Sequence, residues 1–284
     1  MSEMEWKSTA CCICGNNCGL EVQVKDDRIV KVRGNKKTPF SQGYICNKGM
    51  AVSCYQDHNQ RVLSPLRRGA DGSFEEIDWD TATGEVADKL KKIIDEHGPG
   101  ALAFLGGGGQ ANHLDVPYAV FFMKALGTKY FYNALAQEYT QKYWINGHMF
   151  GSEDLDFHGD EHRCDVFLII GSNPWMSHGI QQARRVITEI SKDPNRKLIV
   201  VDPRRHETAL KADTCLMIKP GTDVYFLLAL INGRVKEGLC DEQYLADRTT
   251  GWDEIKWVAD LVTPEKAATL CDLGAGEILD LVGR

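Results

Sequence analysis

Polar and apolar residues alternate in the first part of the chain. Between Leu20 and Val32 the sequence reads LEVQVKDDRIVKV, with this alternation on both sides of Asp26 and Asp27. A period of two residues is typical of β-strands, and the acidic pair between the two runs is typical of a tight turn. The pattern predicts a β-hairpin within a small β-rich module. The following TPFSQGYICNKGM, with its proline and glycines, predicts the loop that closes this module.

A helical period appears in WDTATGEVADKLKKIIDEHGPG, which begins at Trp79. Apolar residues recur there at spacings of three and four, which is typical of a helix with one apolar face. Asp80 or Thr81 is the expected N-cap, and the Gly-Pro-Gly sequence at 98–100 is the expected end. The expected apolar face consists of Val86, Leu90, Ile93 and Ile94.

Short apolar runs, each followed by a polar loop with glycine or proline, dominate the rest of the chain. Four of them read ALAFLGGGGQ, DVFLIIGSNPW, KLIVVDPRR and CLMIKPGTD, and helical patterns occupy residues 177–191 and 223–237. Alternating strands and helices predict an α/β fold in which a doubly wound, mostly parallel sheet has helices on both faces. We expect ligand at the four strand-end loops. The expected division of the chain is 1–60 for the β-rich module and 61–284 for the α/β region.

The composition narrows the class of protein. The chain has 284 residues, 43% of them hydrophobic and 26% charged, which is typical of a globular protein with a sizeable core. A formal net charge of −7 argues against nucleic acid or an anionic membrane as partner. The first residues, MSEMEWKSTA, contain neither a basic segment nor an apolar run, so we expect no export signal and no membrane anchor. The expected location is the cytoplasm, where clustered thiols bind metal more often than they form disulfides.

Four cysteines share a spacing that suggests a metal site. Cys11, Cys14 and Cys18 follow one another with two and three intervening residues, and Cys46 comes after a gap of 27 residues. Four thiolates suit a cubane iron-sulfur cluster. The alternative is a zinc site, which usually has two CxxC pairs, and the second pair is missing here. Cys12 and the remaining five cysteines are expected to pack as small hydrophobic residues.

The cysteine motif is followed, in order, by ICNKGM, RVLSPLRR, GSNPW, VVDPRR and KPGTD. This series resembles the molybdopterin-guanine-dinucleotide oxidoreductases, the family of formate dehydrogenases, periplasmic nitrate reductases and acetylene hydratase. The resemblance covers nearly the whole chain. It implies that Cys11, Cys14, Cys18 and Cys46 ligate a 4Fe-4S cluster in residues 1–60. It further implies that residues 61–284 bind molybdopterin guanine dinucleotide together with molybdenum or tungsten.

Lys48, two residues after Cys46, is expected by the same resemblance to lie between the cluster and the pterin on the electron path. An ammonium group there would stabilise the reduced state of the cluster and form hydrogen bonds to an anionic cofactor. The alternative is a solvated loop lysine.

The strand-end loops contain the groups that a dinucleotide cofactor requires. Asp202 suits a ribose diol, Arg204 or Arg205 suits phosphate, and Asp223 has the two acceptor oxygens that a guanine edge requires. Each loop is also consistent with ordinary turn and cap chemistry. The expected cofactor-binding residues are Gly171, Ser172, Asn173, Asp202, Arg204, Arg205, Gly221, Thr222 and Asp223.

Two other nucleotide motifs are absent from the sequence. The glycines at 106–109 lack the Gly-Lys-Ser/Thr of a Walker loop, and no strand is followed by GxGxxG, so neither an ATPase nor an NAD enzyme is indicated. We expect the 106–109 backbone to lie against the pterin or the active-site cleft, with Gln110 and Asn112 nearby. A flexible loop is the alternative.

Glu138 is the candidate for the metal's protein ligand. In the family this ligand is usually selenocysteine, cysteine, serine or aspartate, and it ordinarily lies between the first and second of the glycine-ended strands. This sequence has no cysteine between Cys54 and Cys164, and Glu138 falls close to the expected position. A carboxylate is an acceptable hard ligand for oxidised molybdenum or tungsten. Glu138 would ligate the metal or act as an acid or base beside it; the alternative is a solvated helix residue paired with Lys142.

Taken together, these features suggest a catalytic-type subunit, or its N-terminal part, of a cytoplasmic oxidoreductase. A small substrate would exchange two electrons at the metal, and single electrons would pass through the cluster to a redox partner protein. Family catalytic subunits are commonly much longer. Either a second chain supplies the C-terminal half, or the sequence is a fragment, or the protein is a truncated form that keeps the cluster and one nucleotide site without turnover. The alternative is a non-catalytic 4Fe-4S module for electron transfer or assembly.

Overall fold

A computed structural model describes residues 4–106, 115–153, 155 and 159–283, apart from the side chains of residues 115, 116 and 138. The chain divides into two compact units, residues 1–158 and residues 159–284.

The first unit contains short strands and six helices within the described ranges. Its strands are β1 (Trp6–Ala10), β2 (Gly19–Lys25), β3 (Arg28–Gly34), β4 (Leu66–Arg68), β5 (Phe74–Glu76), β6 (Ala103–Leu105) and β7 (Tyr130–Tyr132). Its helices are α1 (Asn47–Met50), α2 (Val52–Gln56), α3 (Trp79–His97), α4 (Asp115–Leu126), α5 (Leu135–Glu138) and α6 (Thr140–Phe150).

An antiparallel sheet of order β1-β2-β3 forms the N-terminal module. Strands β2 and β3 are the predicted hairpin, with Lys25 opposite Arg28. Asp26 and Asp27 have φ values of 49° and 58°. Positive φ at both central residues is the requirement of the tight turn whose twist matches the strands. The hairpin prediction is therefore confirmed, and β1 is an additional strand that the alternation did not reveal.

Helix α3 confirms the predicted helix but not its predicted cap. The N-cap is Asp78, whose carboxylate accepts a hydrogen bond from the Thr81 amide at 2.7 Å. The prediction of Asp80 or Thr81 was wrong because Asp78 has the extended backbone of a cap, and its carboxylate reaches the third helical residue. Gly98, with φ of 76°, ends the helix as expected.

The apolar face of α3 is largely uncovered by the described residues. It borders a groove of about 500 Å³ that Phe122 and Leu126 of α4 line from the other side. Val86 is 55% exposed and Trp79 is 70% exposed. Such apolar patches usually mark a surface that another polypeptide covers.

Strand β6 pairs with β7 in a two-stranded parallel sheet, where Phe104 stacks on Phe131 with ring centroids 5.3 Å apart. The sequence placed the four glycine-ended strands in one sheet. The structure instead assigns β6 to the first unit and the other three to the second, since β6 hydrogen-bonds to β7.

The second unit contains three strands and seven helices within the described ranges. The strands are β8 (Val166–Ile170), β9 (Lys197–Val201) and β10 (Thr214–Leu216). The helices are α7 (Pro174–Ser177), α8 (Ala183–Lys192), α9 (Asp223–Lys236), α10 (Glu242–Arg248), α11 (Trp252–Asp260), α12 (Pro264–Cys271) and α13 (Ala275–Val282).

The three strands form a parallel sheet of order β10-β9-β8, with a core on each face. On one face Leu198 and Val200 pack with α8. On the other, Ile199 and Val201 pack with Phe226 of α9 and with residues of α12 and α13. A parallel sheet with helices on both faces is the predicted doubly wound arrangement, so this part of the fold prediction is confirmed.

One predicted helix of this unit is confirmed only in its second part, as α8. Instead of a helix over 177–191, the chain forms α7, then five residues without helix, then α8. His178 and Gln182 have φ values of 56° and 49°. A left-handed residue interrupts the helical hydrogen-bond ladder, so two such residues separate the segments. The other predicted helix, 223–237, is confirmed as α9.

Candidate functional site

Three of the four candidate cysteines lie in the loop of residues 11–18, which joins β1 to β2. The amide of Cys11 donates to the carbonyl oxygen of Cys18 at 2.8 Å, which closes the loop at its base. Asn17 has φ of 43° and its amide donates to the carbonyl oxygen of Cys14 at 3.2 Å. The antiparallel pairing of β1 with β2 thus turns the segment between them back on itself, and this one short loop contains three of the thiols.

The loop after β3 brings the fourth cysteine, Cys46, back to the loop of residues 11–18. The amide of Gly43 donates to the carbonyl oxygen of Asn35 at 3.0 Å, which holds the returning loop against the strand end. Cys46 is the N-cap of α1. Gly49 of α1 is buried, and a Cβ on it would lie 3.6 Å from the Cys11 sulfur. The helix after Cys46 therefore packs directly on the cysteine loop.

The four thiols are electrostatic neighbours. The pKa of Cys18 is raised to about 11, first by burial and then by the charges of Cys11, Cys14 and Cys46. The pKa of Cys11 is also raised, first by burial and then by Cys14, Cys12 and Cys46. Burial and the neighbouring charges both disfavour the thiolate form. A soft cation at this position would offset both effects, because thiolate is the form that binds metal.

A single tetrahedral ion and a cluster require different spacings of the four thiols. Four sulfurs around one tetrahedral zinc ion lie about 3.8 Å apart, given zinc-sulfur bonds of about 2.3 Å. Within the described ranges, no three side chains of His, Cys, Asp or Glu approach closely enough to hold one metal ion. Four thiols are a donor set that suits a cluster of several irons.

Two other side chains belong to the surroundings of the thiols. Lys48 is exposed on α1, two residues after Cys46, so its charge lies beside the cysteine loop. Tyr55 was not a candidate from the sequence. Burial raises its pKa to about 12, with smaller effects of Cys12, Cys11 and Cys46. No sequence motif marks Tyr55 as a site residue, because its distance from the thiols depends on how α2 folds back towards the cysteine loop.

The polar loops of the second unit follow β8, β9 and β10, whose carboxyl ends share one edge of the sheet. Gly171 has φ of 62°, and its amide donates to the carbonyl oxygen of Val201 at 2.9 Å. A Cβ at Gly171 would meet no atom within 4 Å, and Ser172 beside it is exposed. The loop after β8 therefore presents open backbone next to β9.

Asn173 connects two of these loops. Its Oδ1 accepts from the Thr208 hydroxyl at 2.8 Å, and its Nδ2 donates to Glu207 Oε2 at 2.7 Å. The pKa of Glu207 is lowered, first by its own backbone amide and next by the Asn173 amide. Most of the hydrogen-bonding capacity of Asn173 is thus used between the loops rather than offered to a ligand.

Asp202 lies at the end of β9 with its side chain 13% exposed. Its Oδ1 accepts from the Arg204 amide at 2.8 Å, and its Oδ2 lies 3.4 Å from His206 Nε2. Arg204 and Arg205 are both exposed, and the Arg204 guanidinium is 3.8 Å from a Glu207 oxygen. Both cations are therefore accessible beside a largely buried carboxylate, in an arrangement suited to phosphate and hydroxyl groups.

The loop after β10 ends in α9. Gly221 has φ of 78° and an open Cβ position. The Thr222 hydroxyl donates to the Lys219 carbonyl oxygen at 2.6 Å, and Asp223 is the half-buried first residue of the helix. Thr222 therefore shapes the turn, and the N-cap of α9 is Thr222 rather than Asp223.

Comparison with known proteins assigns the family. A family model described as molybdopterin oxidoreductase matches residues 61–274, and a model of the molybdopterin oxidoreductase Fe4S4 domain matches residues 4–58. The chain belongs to the molybdopterin oxidoreductase family. The resemblance inferred from the motifs is therefore confirmed.

Relatives of this molybdopterin oxidoreductase chain are enzymes of greater length. It is 33% identical to the F420-dependent formate dehydrogenase subunit alpha of Methanocaldococcus jannaschii, over 98% of this chain and 40% of that protein. It is also 33% identical to a nitrate reductase of Symbiobacterium thermophilum, over 96% of this chain and 37% of that protein. The structure of acetylene hydratase from Pelobacter acetylenicus is similar with a TM-score of 0.80 and 28% identity, over 97% of this chain and 38% of that one. The chain thus spans about 40% of the relatives that it matches.

Several predicted residues of this molybdopterin oxidoreductase lie outside the described part. Glu138 is the last residue of α5, and its side chain is among those not described. Gly107 to Gly109, Gln110 and Asn112 also lie outside the described residues. Gly106, which is described, donates its amide to the Tyr132 carbonyl oxygen at 3.0 Å and so extends the β6-β7 pairing.

Within the ranges that the structure covers, no helix has the length and apolar character needed to cross a membrane. The cytoplasmic location stays a prediction.

Proposed function

We propose that this chain is the catalytic-type subunit, or its N-terminal part, of a molybdenum or tungsten oxidoreductase that binds two molybdopterin guanine dinucleotides and one 4Fe-4S cluster. The observation that supports it best is a set of four thiols that interact electrostatically. Three of them lie on the loop of residues 11–18, and the fourth is at the N-cap of α1. The same chain contains a parallel sheet whose strand-end loops offer open backbone, carboxylates and cations.

Cys11, Cys14, Cys18 and Cys46 are the proposed cluster ligands. Thiolates are the usual donors to iron-sulfur clusters, and the raised pKa of Cys18 means that this thiol loses its proton on metal binding. A four-cysteine zinc site is less consistent with these residues, since a second CxxC pair is missing.

The second unit is proposed to hold the guanine nucleotide end of a cofactor. The Asp202 carboxylate would accept from ribose hydroxyls, and the Asp223 carboxylate would accept from the guanine edge. Positive φ and open space at Gly171 and Gly221 allow phosphate or ribose to approach the backbone closely. Arg204 and Arg205 would bind phosphate as exposed cations.

Electron transfer is the proposed role of the N-terminal module. When bound, the metal-pterin centre supplies two-electron exchange with a small substrate, and the cluster supplies single-electron transfer to a redox partner protein. Lys48 would place a positive charge between the two groups and stabilise added electrons. Glu138 would bind the metal or move a proton beside it.

Formate is the proposed substrate to test first, because the most similar relatives include a protein named formate dehydrogenase. Nitrate is the second, from the relative named nitrate reductase.

A second polypeptide, or a continuation of this one, is proposed to complete the enzyme. The relatives are more than twice as long as the matched part, and a relative is named as a subunit alpha. The groove between α3 and α4 exposes Trp79, Val86 and Phe122, which a further polypeptide would cover.

The test is to purify the chain without oxygen, together with any co-purifying polypeptide. Molybdenum and tungsten are measured by mass spectrometry, guanine nucleotide by chromatography after acid release, and activity by formate-dependent reduction of a viologen dye. We expect one of the two metals, guanine nucleotide and dye reduction. A preparation with iron but neither metal nor nucleotide would contradict the proposal and favour the electron-transfer module.

A further inference from the structure

We propose that His206 is a positioning residue that aims the Asp202 carboxylate at a hydroxyl group of the bound nucleotide. This inference rests on the proposed cofactor-binding function of the second unit. The sequence motif of the loop after β9 did not identify His206 as a candidate.

The His206 side chain is fixed in place before any ligand arrives. It is 3% exposed, and its Nδ1 accepts a hydrogen bond from the Ala209 amide at 3.3 Å. The backbone is held as well, since the Leu210 amide donates to the His206 carbonyl oxygen at 3.0 Å. The imidazole ring therefore has little freedom to turn.

The bond from Ala209 decides which ring nitrogen carries the proton. A nitrogen that accepts from a backbone amide has no proton of its own, so the neutral ring is protonated at Nε2. Nε2 lies 3.4 Å from Asp202 Oδ2. It has no hydrogen bond of normal geometry to any described residue, although it is completely buried.

A buried nitrogen donor without a hydrogen bond is costly, so one that faces a carboxylate calls for an explanation. A movement of a few tenths of an ångström by the carboxylate would bring Oδ2 into normal hydrogen-bond range of Nε2. We assign that movement to nucleotide binding.

The two oxygens of Asp202 then have different tasks. Oδ1 is occupied by the Arg204 amide at 2.8 Å, which closes the turn after β9. Oδ2 retains acceptor capacity for two donors. One would be the His206 Nε2 proton, and the other would be a ribose hydroxyl. The histidine thereby fixes both the direction and the charge of the oxygen that the ligand meets.

Other charged groups surround this pair. Glu207 and Arg204 follow on the same loop, with the guanidinium 3.8 Å from a Glu207 oxygen. From β10, Cys215 faces the pair with its thiol pKa raised by burial, with smaller effects of Arg205 and Asp202.

Two variants separate this role from a purely structural one. In His206→Asn, the amide oxygen can stand in for Nδ1 and accept from Ala209, but no donor reaches Asp202. In His206→Gln, the longer amide can place a donor near the position of Nε2. An exposed histidine, His162, supplies the matched control as His162→Asn.

The experiment titrates the full chain with GDP by calorimetry, alongside thermal unfolding of each variant. We expect His206→Asn to bind GDP about tenfold more weakly and His206→Gln to stay within about threefold of the unmodified chain. In the unmodified chain, the ¹⁵N resonance of His206 Nε2 should shift when GDP binds, and His162→Asn should change nothing.

The outcomes distinguish the two proposals. Failure of the unmodified chain to bind GDP would overturn the proposed nucleotide site and this inference with it. GDP binding that is equally strong in His206→Asn would overturn the role of His206 alone. If His206→Asn unfolds, the Nε2 resonance decides: an unchanged signal on GDP binding would overturn the proposal.

Discussion

Cys14 and Cys12 are two residues apart, yet they have different surroundings. Cys14 is half-buried and is an electrostatic neighbour of Cys11 and Cys18, whereas Cys12 is exposed. The expectation that Cys12 packs as a small hydrophobic residue was wrong, because its side chain is exposed, and its charge is among those that raise the pKa of Cys11. The two residues lie in the loop of residues 11–18, which the hydrogen bond from the Cys11 amide to the Cys18 carbonyl oxygen closes.

We expect Cys14→Ser to lose most of its iron, because a hydroxyl is a much poorer donor to iron than a thiolate. Cys12→Ser is the matched control and should keep the iron content of the unmodified chain. Iron and labile sulfide per chain, measured after anaerobic purification, check both. Equal iron loss in the two variants would contradict the ligand assignment.

Some contacts at the strand-end loops could not be predicted from the sequence. Asp202 was a candidate because it follows a strand, but His206 behind it was not. The contacts of Asn173 reach Glu207 and Thr208, which are 34 and 35 residues away. No local pattern contains such contacts, because they depend on which strands become neighbours in the sheet.

At the scale of elements, the close approach of β3 to the loop after it is a strong constraint. A Cβ at Gly34 would lie 1.9 Å from the carbonyl oxygen of Gly43. The carbonyl oxygen belongs to the backbone, so it cannot move aside without displacing the loop that leads to Cys46. The position of Cys46 therefore depends on a glycine that is not a candidate ligand.

We expect Gly34→Ala to lower the iron content and the melting temperature together. Gly84→Ala is the matched control, since a Cβ there meets no atom within 4 Å and the residue lies within α3. It should stabilise the chain by about 0.5–1 kcal/mol, because alanine favours a helix over glycine. Thermal unfolding and iron analysis of both variants provide the check. Full iron content in Gly34→Ala would show that the loop adapts.

The cap of α3 predicts a pH dependence. Hydrogen bonds from the Thr81 amide and then the Thr81 hydroxyl lower the pKa of Asp78 below its usual value of 3.8. A lowered folded-state pKa gives a stabilising contribution that is present above the unfolded pKa and is lost as the pH falls through the folded one.

Asp78→Asn keeps an acceptor for the Thr81 amide but does not titrate. We therefore expect the unmodified chain to exceed this variant in stability at about pH 6 and to lose that advantage towards about pH 3. Denaturant unfolding at several pH values measures the difference. A difference independent of pH would mean that the Asp78 charge contributes nothing.

Elements with a clear period were predictable, and elements defined by single residues were not. The β2-β3 hairpin and α9 followed from periodicity, and β2 and α9 each bury several residues. The break between α7 and α8 depends on left-handed backbone at His178 and Gln182. Neither residue is a glycine, the residue most typical of that conformation, so no sequence pattern predicted the break. The β4-β5 hairpin, with strands of three residues, is too short for a period to be visible.

At the scale of the whole molecule, the two units differ in how much they bury. The second unit has a core on each face of its sheet, in which Leu198 and Val200 are fully buried. Helix α3 of the first unit has no buried residue. Local stability follows buried apolar contact, so the two units should open with different free energies.

We expect the amides of β9 to exchange with deuterium far more slowly than those of α3 in the chain studied alone. Addition of the polypeptide that completes the enzyme should slow exchange in α3 and leave β9 unchanged. Hydrogen exchange read by mass spectrometry measures both. Equal protection of α3 and β9 in the isolated chain would contradict an uncovered surface.

The family was readable from the sequence because several motifs occur in register, and most of them are a strand-end loop or belong to the cysteine site. The division of strands between two sheets was not readable. Strand β6 looks like the later strands, and its partner β7 is a three-residue segment with no strong pattern.

The central claim is that Cys11, Cys14, Cys18 and Cys46 enclose a reducible 4Fe-4S cluster. Electron paramagnetic resonance of the anaerobically purified chain after dithionite reduction, with iron and sulfide counted in the same sample, tests it most directly. The account predicts about four irons and four sulfides per chain and a half-integer spin signal that disappears on reoxidation. A colourless protein with bound zinc, no sulfide and no such signal would contradict it.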